Sequence, residues 1–215
     1  MHSVLVLGAS GLIGNNLTDL LLKDNSITKV YVLVRRSLNI QHSKLEERII
    51  NFSDIDAYSN NFPQVDTIFC CIGTTQKQVK GNNDLYRSID FDIPVNAAKI
   101  GLEKGVKKYV IVSAIGSNSK SSNFYVKLKG QVEEAIAALP FDAVHIMRPS
   151  LLLGYRKEFR LAERIFQAIM KPLNFLVPAK YKAIEGSQVA AAMLKADKSN
   201  EKGVHSYTYK KMTSL

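Results

Sequence analysis

The chain has 215 residues, of which 46% are hydrophobic and 22% are charged. These values are typical of a globular protein that buries a sizeable core, and the length favours a single domain over residues 1–215. The apolar run at residues 4–7 is far shorter than the roughly 20 residues that cross a bilayer, and no targeting segment is recognised. The run therefore does not predict a membrane span. The two adjacent cysteines, which are poorly placed to pair, favour a reduced, cytoplasmic location.

The net charge of +10 would suit nucleic acid, an acidic membrane surface or an anionic ligand. The basic residues are spread along the chain and lack the interleaving with aromatic residues that is typical of nucleic-acid binders. A solvated basic surface is the simpler interpretation, so nucleic acid is not expected to be the partner.

Cysteine and histidine positions predict neither a disulfide nor a metal site. The two cysteines, Cys70 and Cys71, are adjacent, and neighbours on a strand point to opposite faces. We expect both to be reduced and to pack in the core. The four histidines are scattered without metal-like spacing.

Short apolar runs alternate with stretches of helical spacing, which is typical of βαβ units. Strands are predicted at 4–7, 30–34, 48–52, 65–72, 108–113, 144–147 and 204–209. Helices are predicted at 12–21, 84–104 with a kink at Pro94 and a stop at Gly105, 124–139 with a cap among Ser121, Ser122 and Asn123, 162–170 and 187–196. This order predicts an α/β fold, a doubly wound and mostly parallel Rossmann sheet with helices on both faces. Residues 151–215 are expected to form a small substrate-side cap.

A glycine-rich loop directly follows the first predicted strand, with the sequence Gly8-Ala9-Ser10-Gly11-Leu12-Ile13-Gly14. It is a G-x-x-G-x-x-G variant of the dinucleotide fingerprint, in which glycines allow a tight turn, a close approach to the pyrophosphate and helix packing. The amides at the helix start would then face the phosphates. A tight turn without a ligand is the alternative, but the strand before and the helix after favour a dinucleotide site.

The second predicted strand ends at Val34-Arg35-Arg36, where an NAD-binding protein carries an acidic residue for the ribose 2′-hydroxyl. A guanidinium can instead hold a 2′-phosphate by paired hydrogen bonds. Arg35 and Arg36 therefore predict NADP(H), with NAD(H) the less favoured cofactor and ordinary surface charges the alternative.

A candidate reaction centre combines Ser113, at the end of the fifth strand, with Tyr125 and Lys129. Residues four apart share a helix face, so Tyr125 and Lys129 point the same way. An ammonium beside a phenol is expected to lower the phenol pKa and make Tyr125 a proton donor for hydride transfer. Ser113 would bond the substrate oxygen. An exposed tyrosine beside a lysine on a helix is the alternative without this context.

Together the loop at 7–14, Val34-Arg35-Arg36, the segment 69–75, the segment 121–133 and the segment 147–154 resemble the short-chain dehydrogenase/reductase superfamily. Among its atypical or extended, nucleotide-sugar epimerase-like members, the chain is most similar to the Tat-interacting-protein-like oxidoreductase branch. The part after residue 155 is shorter than in sugar epimerases, which argues against a sugar-nucleotide substrate. Asp90 stands about where related proteins carry a helix asparagine, and the resemblance assigns it no role.

The resemblance also implies a set of cofactor contacts. Gly8, Ser10, Gly11, Leu12 and Ile13 would line the pyrophosphate, and Asp54 would contact adenine. The remaining contacts would come from Cys71, Ile72 and Gly73 under the ribose and toward the nicotinamide, Lys129 at the nicotinamide ribose, and Pro149 and Ser150 near the carboxamide.

Two functions follow from these residues. The first is an NADP(H)-dependent oxidoreductase of the short-chain type that acts on a carbonyl or alcohol. The second is a protein that binds NADP(H) as a sensing or structural ligand and regulates a partner with little or no catalysis. A small-molecule substrate is expected for the first, and a protein partner or a second copy of the chain stays open for the second.

Overall fold

The structure is a computed structural model that describes residues 2–153 and 182–215. Within these residues the strands in chain order are β1 (His2–Leu7), β2 (Ile27–Val34), β3 (Leu45–Ile49), β4 (Thr67–Cys70), β5 (Lys108–Val112), β6 (Ala143–Met147), β7 (Leu152–Leu153), β8 (Ile184–Glu185) and β9 (Gly203–Tyr207). Seven of them form a parallel sheet in the order β3-β2-β1-β4-β5-β6-β9. The strand order reverses between β1 and β4, where a doubly wound fold binds its ligand.

Helices cover both faces of this sheet, as predicted. They are α1 (Leu12–Lys23), α2 (Ile55–Asn61), α3 (Asn83–Arg87), a π-helical segment (Ser88–Asp92), α4 (Ile93–Glu103), α5 (Phe124–Ala137), α6 (Gly186–Lys198) and α7 (Tyr209–Ser214). The core on one face contains Leu17 of α1 and Met193 of α6. The core on the other face contains Tyr58 of α2, Ala98 of α4 and Ile136 of α5. The Rossmann prediction is therefore confirmed.

The third strand lies three residues earlier than predicted. The prediction followed the apolar residues Ile49, Ile50 and Phe52, but β3 is Leu45–Ile49 and consists mostly of half-buried polar side chains. Because β3 is an edge strand, its polar residues can pair at the surface, as Glu46 does with Arg48 at 3.0 Å. Ile50 is buried in the loop that follows the strand, and its amide donates to the Val34 carbonyl.

The single helix predicted over 84–104 is three segments. Pro94 lies in the first turn of α4, immediately after the π-helical segment, and the Ile93 amide bonds the Ser88 carbonyl five residues back. Proline has no amide hydrogen to donate to residue 90, which favours a change of helical winding at this point. Gly105, with φ of 81°, ends the helix as predicted.

The C-terminal residues contribute to the main sheet as well as to a small one. Residues 203–207 form the edge strand β9, and α6 packs on α1 so closely that a Cβ atom on Gly186 would lie 2.7 Å from Leu12 Cγ. The helix α7 was not predicted. The helix expected at 162–170 lies outside the described residues, so the single domain and its cap stay predictions. No helix in the described ranges is long and apolar enough to cross a bilayer.

Candidate dinucleotide site

The glycine loop between β1 and α1 packs so tightly that side chains are excluded at Gly8 and Gly14. Gly8 has a φ of 79°, and a Cβ atom there would lie 2.7 Å from the Cys71 carbonyl oxygen. A Cβ atom on Gly14 would lie 2.1 Å from the Gly8 carbonyl oxygen. The Gly11 amide closes the turn by donating to that same oxygen at 2.9 Å. The predicted tight turn is present, and Gly14 lets α1 approach it.

The start of α1 suits an anion. Gly11 is the residue that precedes the helix and has no side chain to cap it, and the first turn contains no acidic residue. Ser10 and Gly11 are exposed. A helix N-terminus with free amides favours negative charge through its dipole and its hydrogen-bond donors. The loop therefore fits the pyrophosphate of a dinucleotide.

The residues expected to recognise the adenosine half follow β2 and precede α2. Arg35 and Arg36 directly follow β2, and both are exposed. Asp54 lies at the start of α2, where its carboxylate accepts the Ala57 amide at 2.9 Å and caps the helix. Sequence reasoning gave Asp54 no capping role, and its contact with adenine stays a prediction.

The loop after β4 lies directly against the glycine loop. The Cys71 amide donates to the Leu7 carbonyl oxygen at 2.9 Å, and the Cys71 thiol lies 3.8 Å from Met193 Sδ. Burial raises the pKa of the thiols of Cys70 and Cys71, as expected for cysteines that pack rather than react. The structure thus brings Cys71, Ile72 and Gly73 to the switch point, beside the phosphate loop.

The helix α5 carries the predicted tyrosine and lysine. It begins after Asn123, whose side chain accepts the Val126 amide at 3.1 Å, so Asn123 is the cap among the three predicted candidates. Tyr125 is 39% exposed, whereas Lys129, one turn further on, is 5% exposed. The phenol can therefore meet a substrate while the ammonium is held inside.

Ser113 lies just beyond β5 and is buried. Its amide donates to the Met147 carbonyl at 2.7 Å, and its hydroxyl lies 3.0 Å from that of Ser117, its hydrogen-bond partner among the described residues. The loop that follows is pressed onto α5, since a Cβ atom on Gly130 would lie 2.2 Å from the Ser119 amide nitrogen. Glycine at 130 therefore allows the loop that follows Ser113 to rest on α5.

Sequence reasoning missed the partner of Lys129, which is Asp90. The Lys129 ammonium lies 2.9 Å from Asp90 Oδ2, and both side chains are almost fully buried. The other carboxylate oxygen accepts the Thr74 amide at 2.7 Å. A signal was present in the sequence, because Asp90 is an acid between the large apolar residues Ile89 and Phe91.

The electrostatics of the site differ from the expectation. Burial raises the pKa of Tyr125; Lys129 opposes this change and Asp90 adds to it. Burial alone would lower the pKa of Lys129, but the Asp90 carboxylate outweighs it and raises that pKa. The lowered tyrosine pKa predicted from the Tyr125–Lys129 pair is therefore wrong for this structure, because burial raises the pKa more than Lys129 lowers it and Asp90 adds to the rise.

Pro149 and Ser150 follow β6. Pro149 contacts the loop after Ser113, and both residues lead into the small sheet of β7 and β8. The Ile115 amide donates to the Pro149 carbonyl at 2.8 Å. The Ser150 hydroxyl donates to the Lys182 carbonyl, so its proton is engaged by the chain rather than free for a ligand. Both residues lie at the carboxyl end of β6, and their contact with a carboxamide stays a prediction. Within residues 2–153 and 182–215, no cluster of side chains could hold a metal ion.

A glycine loop at the switch point of a doubly wound sheet, with its helix N-terminus open to an anion, defines a dinucleotide-binding protein of the Rossmann class. A family model described as NAD(P)H-binding matches residues 8–157. Protein HTATIP2 of Rattus norvegicus is 33% identical over 164 residues, which are 75% of this chain and 67% of that protein. The mitochondrial protein FMP52-1 of Scheffersomyces stipitis is 32% identical over an aligned length of 226 positions. The alignment covers 99% of this chain and 98% of that protein. The chain therefore belongs to this NAD(P)H-binding family.

Solved structures with the same fold include an epimerase and an enzyme in complex with NAD+. The UDP-N-acetylglucosamine 4-epimerase of Methanobrevibacter ruminantium M1, in complex with UDP-N-acetylmuramic acid, gives a TM-score of 0.72 at 16% identity and covers 96% of this chain and 76% of its own. The Bordetella bronchiseptica enzyme WbmH, in complex with NAD+, gives 0.75 at 14% identity and covers 97% and 76%. At these identities the likeness shows a shared fold.

The expected cytoplasmic location is contradicted by the relatives. FMP52 proteins of Scheffersomyces stipitis, Meyerozyma guilliermondii and Candida albicans are all named as mitochondrial. Location depends on short signals read by receptors, and composition carries little information about them.

Proposed function

We propose that the protein is an NADP(H)-dependent oxidoreductase that interconverts a carbonyl and an alcohol, with Tyr125 as the proton donor. The observation that carries this proposal is the placement of a half-exposed Tyr125 one helical turn before the buried Lys129. The helix α5 that holds both side chains follows β5, and β5 pairs with β4, the strand whose end meets the phosphate loop. A proton donor and a dinucleotide loop at one edge of a sheet suit hydride transfer.

Cofactor contacts are proposed for each part of the dinucleotide. The pyrophosphate would lie on the glycine loop, the 2′-phosphate at the two arginines, the adenine near Asp54, and the nicotinamide half along the loops after β4 and β6. The residues are Gly8, Ser10, Gly11, Leu12, Ile13, Gly14, Arg35, Arg36, Asp54, Cys71, Ile72, Gly73, Lys129, Pro149 and Ser150.

Preference for NADP(H) rests on charge. Arg35 and Arg36 are exposed at the end of β2, where a guanidinium can bind a phosphate through two parallel hydrogen bonds. A carboxylate, which would repel a 2′-phosphate, is absent from positions 34–36. The NAD+ in the complex of WbmH belongs to a distant enzyme and leaves this choice open for the present chain.

The reaction would use three side chains of this protein, those of Tyr125, Ser113 and Lys129. Tyr125 donates a proton to the carbonyl oxygen, and Ser113 orients that oxygen once its hydroxyl turns from Ser117. Lys129 holds a positive charge beneath the phenol and bonds a ribose hydroxyl. The bound nicotinamide supplies the hydride.

A parallel titration with NADPH and NADH tests the cofactor. We expect tighter binding of NADPH, lost in Arg35→Ala/Arg36→Ala and kept in Lys210→Ala/Lys211→Ala, which removes the same charge from α7. Turnover in a carbonyl screen that is lost in Tyr125→Phe, with unchanged NADPH binding, supports the reaction. Equal binding of both cofactors contradicts the arginine argument, and turnover by Tyr125→Phe contradicts the mechanism.

The second function, NADP(H) sensing without catalysis, is favoured by one observation. The Lys129 ammonium lies against Asp90 and the Ser113 hydroxyl against that of Ser117, so both groups already have partners within the chain. NADPH binding without turnover of any carbonyl, combined with a partner whose binding depends on NADPH, supports this function over the first.

A further inference from the structure

Asp90 is buried at the meeting point of three elements. It lies in the π-helical segment, its Oδ1 accepts the Thr74 amide at 2.7 Å, and its Oδ2 lies 2.9 Å from the Lys129 ammonium. A Cβ atom on Gly73 would lie 3.9 Å from Oδ2, so the carboxylate lies directly under the loop after β4. Asp90 lies in the middle of the π-helical segment that precedes Pro94, and its side chain is 1% exposed.

This geometry changes what Lys129 does to Tyr125. An ammonium alone favours the tyrosinate form of a neighbouring phenol, whereas a carboxylate disfavours it. Here both charges are buried together, and burial itself disfavours the tyrosinate. Among the described residues, the other titratable groups around this pair are Tyr86 of α3, whose ring lies edge-on to Tyr125 at 6.4 Å, and Cys70 of β4. Burial raises the pKa of each of these two groups, so each is neutral at neutral pH.

We propose that Asp90, by holding Lys129 in a buried ion pair, keeps Tyr125 a neutral phenol at neutral pH, so that the site favours carbonyl reduction and oxidises an alcohol only in alkaline solution. Asp90 is then a positioning residue that sets the pH range in which the site oxidises an alcohol. The inference rests on the proposed function for its direction, but its electrostatic part concerns the chain alone.

The balance of the reaction explains the direction. In reduction, the carbonyl carbon accepts a hydride ion, which carries two electrons and one proton, from the reduced nicotinamide. The carbonyl oxygen takes a second proton from Tyr125 Oη. An alcohol, the oxidised nicotinamide and a tyrosinate result, and the half-exposed Tyr125 regains its proton from water. Oxidation runs these steps in reverse and must begin from a tyrosinate, whose fraction falls tenfold for each pH unit below the tyrosine pKa.

The ionisation of Tyr125 can be measured without any turnover. Protein labelled with ¹³Cζ-tyrosine is titrated by NMR, and the Tyr125 signal among nine tyrosines is identified by its loss in Tyr125→Phe. We expect wild-type Tyr125 to remain a phenol at pH about 10, where a free tyrosine is half ionised. In Asp90→Asn the midpoint should fall by at least about one pH unit, since an opposite charge without its counter-ion shifts a pKa by that much or more.

Asp92→Asn is the matched control, because Asp92 is exposed and lies in the same π-helical segment. Its Tyr125 midpoint should match the wild type. An unchanged midpoint in a folded Asp90→Asn protein overturns the proposal. If Asp90→Asn does not fold, the wild-type titration decides, because a tyrosinate that forms well below pH 10 also overturns it.

Kinetics separate this inference from the proposed function. With an alcohol and NADP+, Asp90→Asn should shift the pH profile of oxidation down by at least about one unit and raise the rate at pH 7 about tenfold. A shifted NMR midpoint without any turnover supports the role of Asp90 and contradicts the proposed function. Turnover that needs Tyr125 but shows no change of pH profile in Asp90→Asn supports the proposed function and contradicts the role of Asp90.

Discussion

Gly8 and Cys71 approach each other so closely that a Cβ atom on Gly8 would lie 2.7 Å from the Cys71 carbonyl oxygen. The contact joins the end of β1 to the end of β4, and the Cys71 amide extends the same pairing to Leu7. The phosphate loop and the loop proposed to run under the nicotinamide ribose are thus fixed to each other by backbone atoms. A change at Gly8 should therefore disturb both halves of the dinucleotide site at once.

Gly8→Ala is expected to lower the free energy of unfolding by at least about 2 kcal/mol, because it combines a left-handed backbone with a backbone collision. Gly105→Ala is the matched control, since Gly105 has a φ of 81° but nothing within 4 Å of the added atom. It should cost about 1 kcal/mol. Urea unfolding measures both. Equal losses in the two variants contradict the close approach, and NADPH binding should be lost only in Gly8→Ala.

Asn123→Ala should destabilise the protein by about 1 kcal/mol, because the Asn123 side chain accepts the Val126 amide at the start of α5. Ser122→Ala, one residue earlier and exposed, should change stability by less than about 0.5 kcal/mol. Thermal unfolding of both variants checks the cap. A larger loss in Ser122→Ala would mean that α5 begins elsewhere, and Tyr125 and Lys129 would then lie differently on it.

Much of the fold could be predicted because its signals are local. The turn at Gly8, the stop at Gly105 and the apolar strands each depend on a few neighbouring residues. The cap of α5 was narrowed to three residues but not to one, because Ser121, Ser122 and Asn123 all have side chains that can accept a helix amide. Only the path of the chain decides among them.

The features that could not be predicted depend on contacts between distant residues. β3 is an edge strand whose polar residues form hydrogen bonds with one another. The apolar residues Ile49, Ile50 and Phe52 therefore gave a predicted strand three residues too late. The ion pair of Asp90 and Lys129 joins positions 39 residues apart through the fold, and no spacing rule connects them. Burial, to which Asp90 adds, outweighs Lys129 and reverses the expected pKa change of Tyr125, so a two-residue motif does not determine the electrostatics of its own site.

Lys129→Met should lower the free energy of unfolding by about 3 kcal/mol, because it leaves the Asp90 carboxylate buried without a counter-ion. Adding Asp90→Asn removes that charge, so the double variant should be more stable than Lys129→Met alone. Lys127→Met, on the exposed side of the same helix, is the control and should change stability by less than about 0.5 kcal/mol. Urea unfolding of the wild type, Lys129→Met, Asp90→Asn and the double variant completes the cycle. A double variant less stable than Lys129→Met would show that the pair is not coupled.

His145 should make the protein sensitive to acid. Its ring is buried, and Nδ1 lies 2.9 Å from the Tyr207 hydroxyl, which itself donates to Glu201 at 2.5 Å. Burial, assisted by the nearby His205, lowers the pKa of His145 to about 4. Between pH about 6.5 and 4, His145 is therefore protonated in the unfolded chain but neutral in the folded chain. Stability falls as the pH falls through this window.

The loss between pH 7 and pH 4 is at most about 3 kcal/mol for His145, and His2 acts in the opposite sense. Its bond to Asp197 raises the pKa of His2, which stabilises the folded chain in acid and is lost as the pH rises. We therefore compare variants rather than the wild type alone. His145→Gln should flatten the dependence of the unfolding free energy on pH over this window, whereas His42→Gln, at an exposed position, should leave it unchanged. Parallel curves for wild type and His145→Gln would mean that His145 is protonated in the folded protein, with Tyr207 and Glu201 supporting its charge.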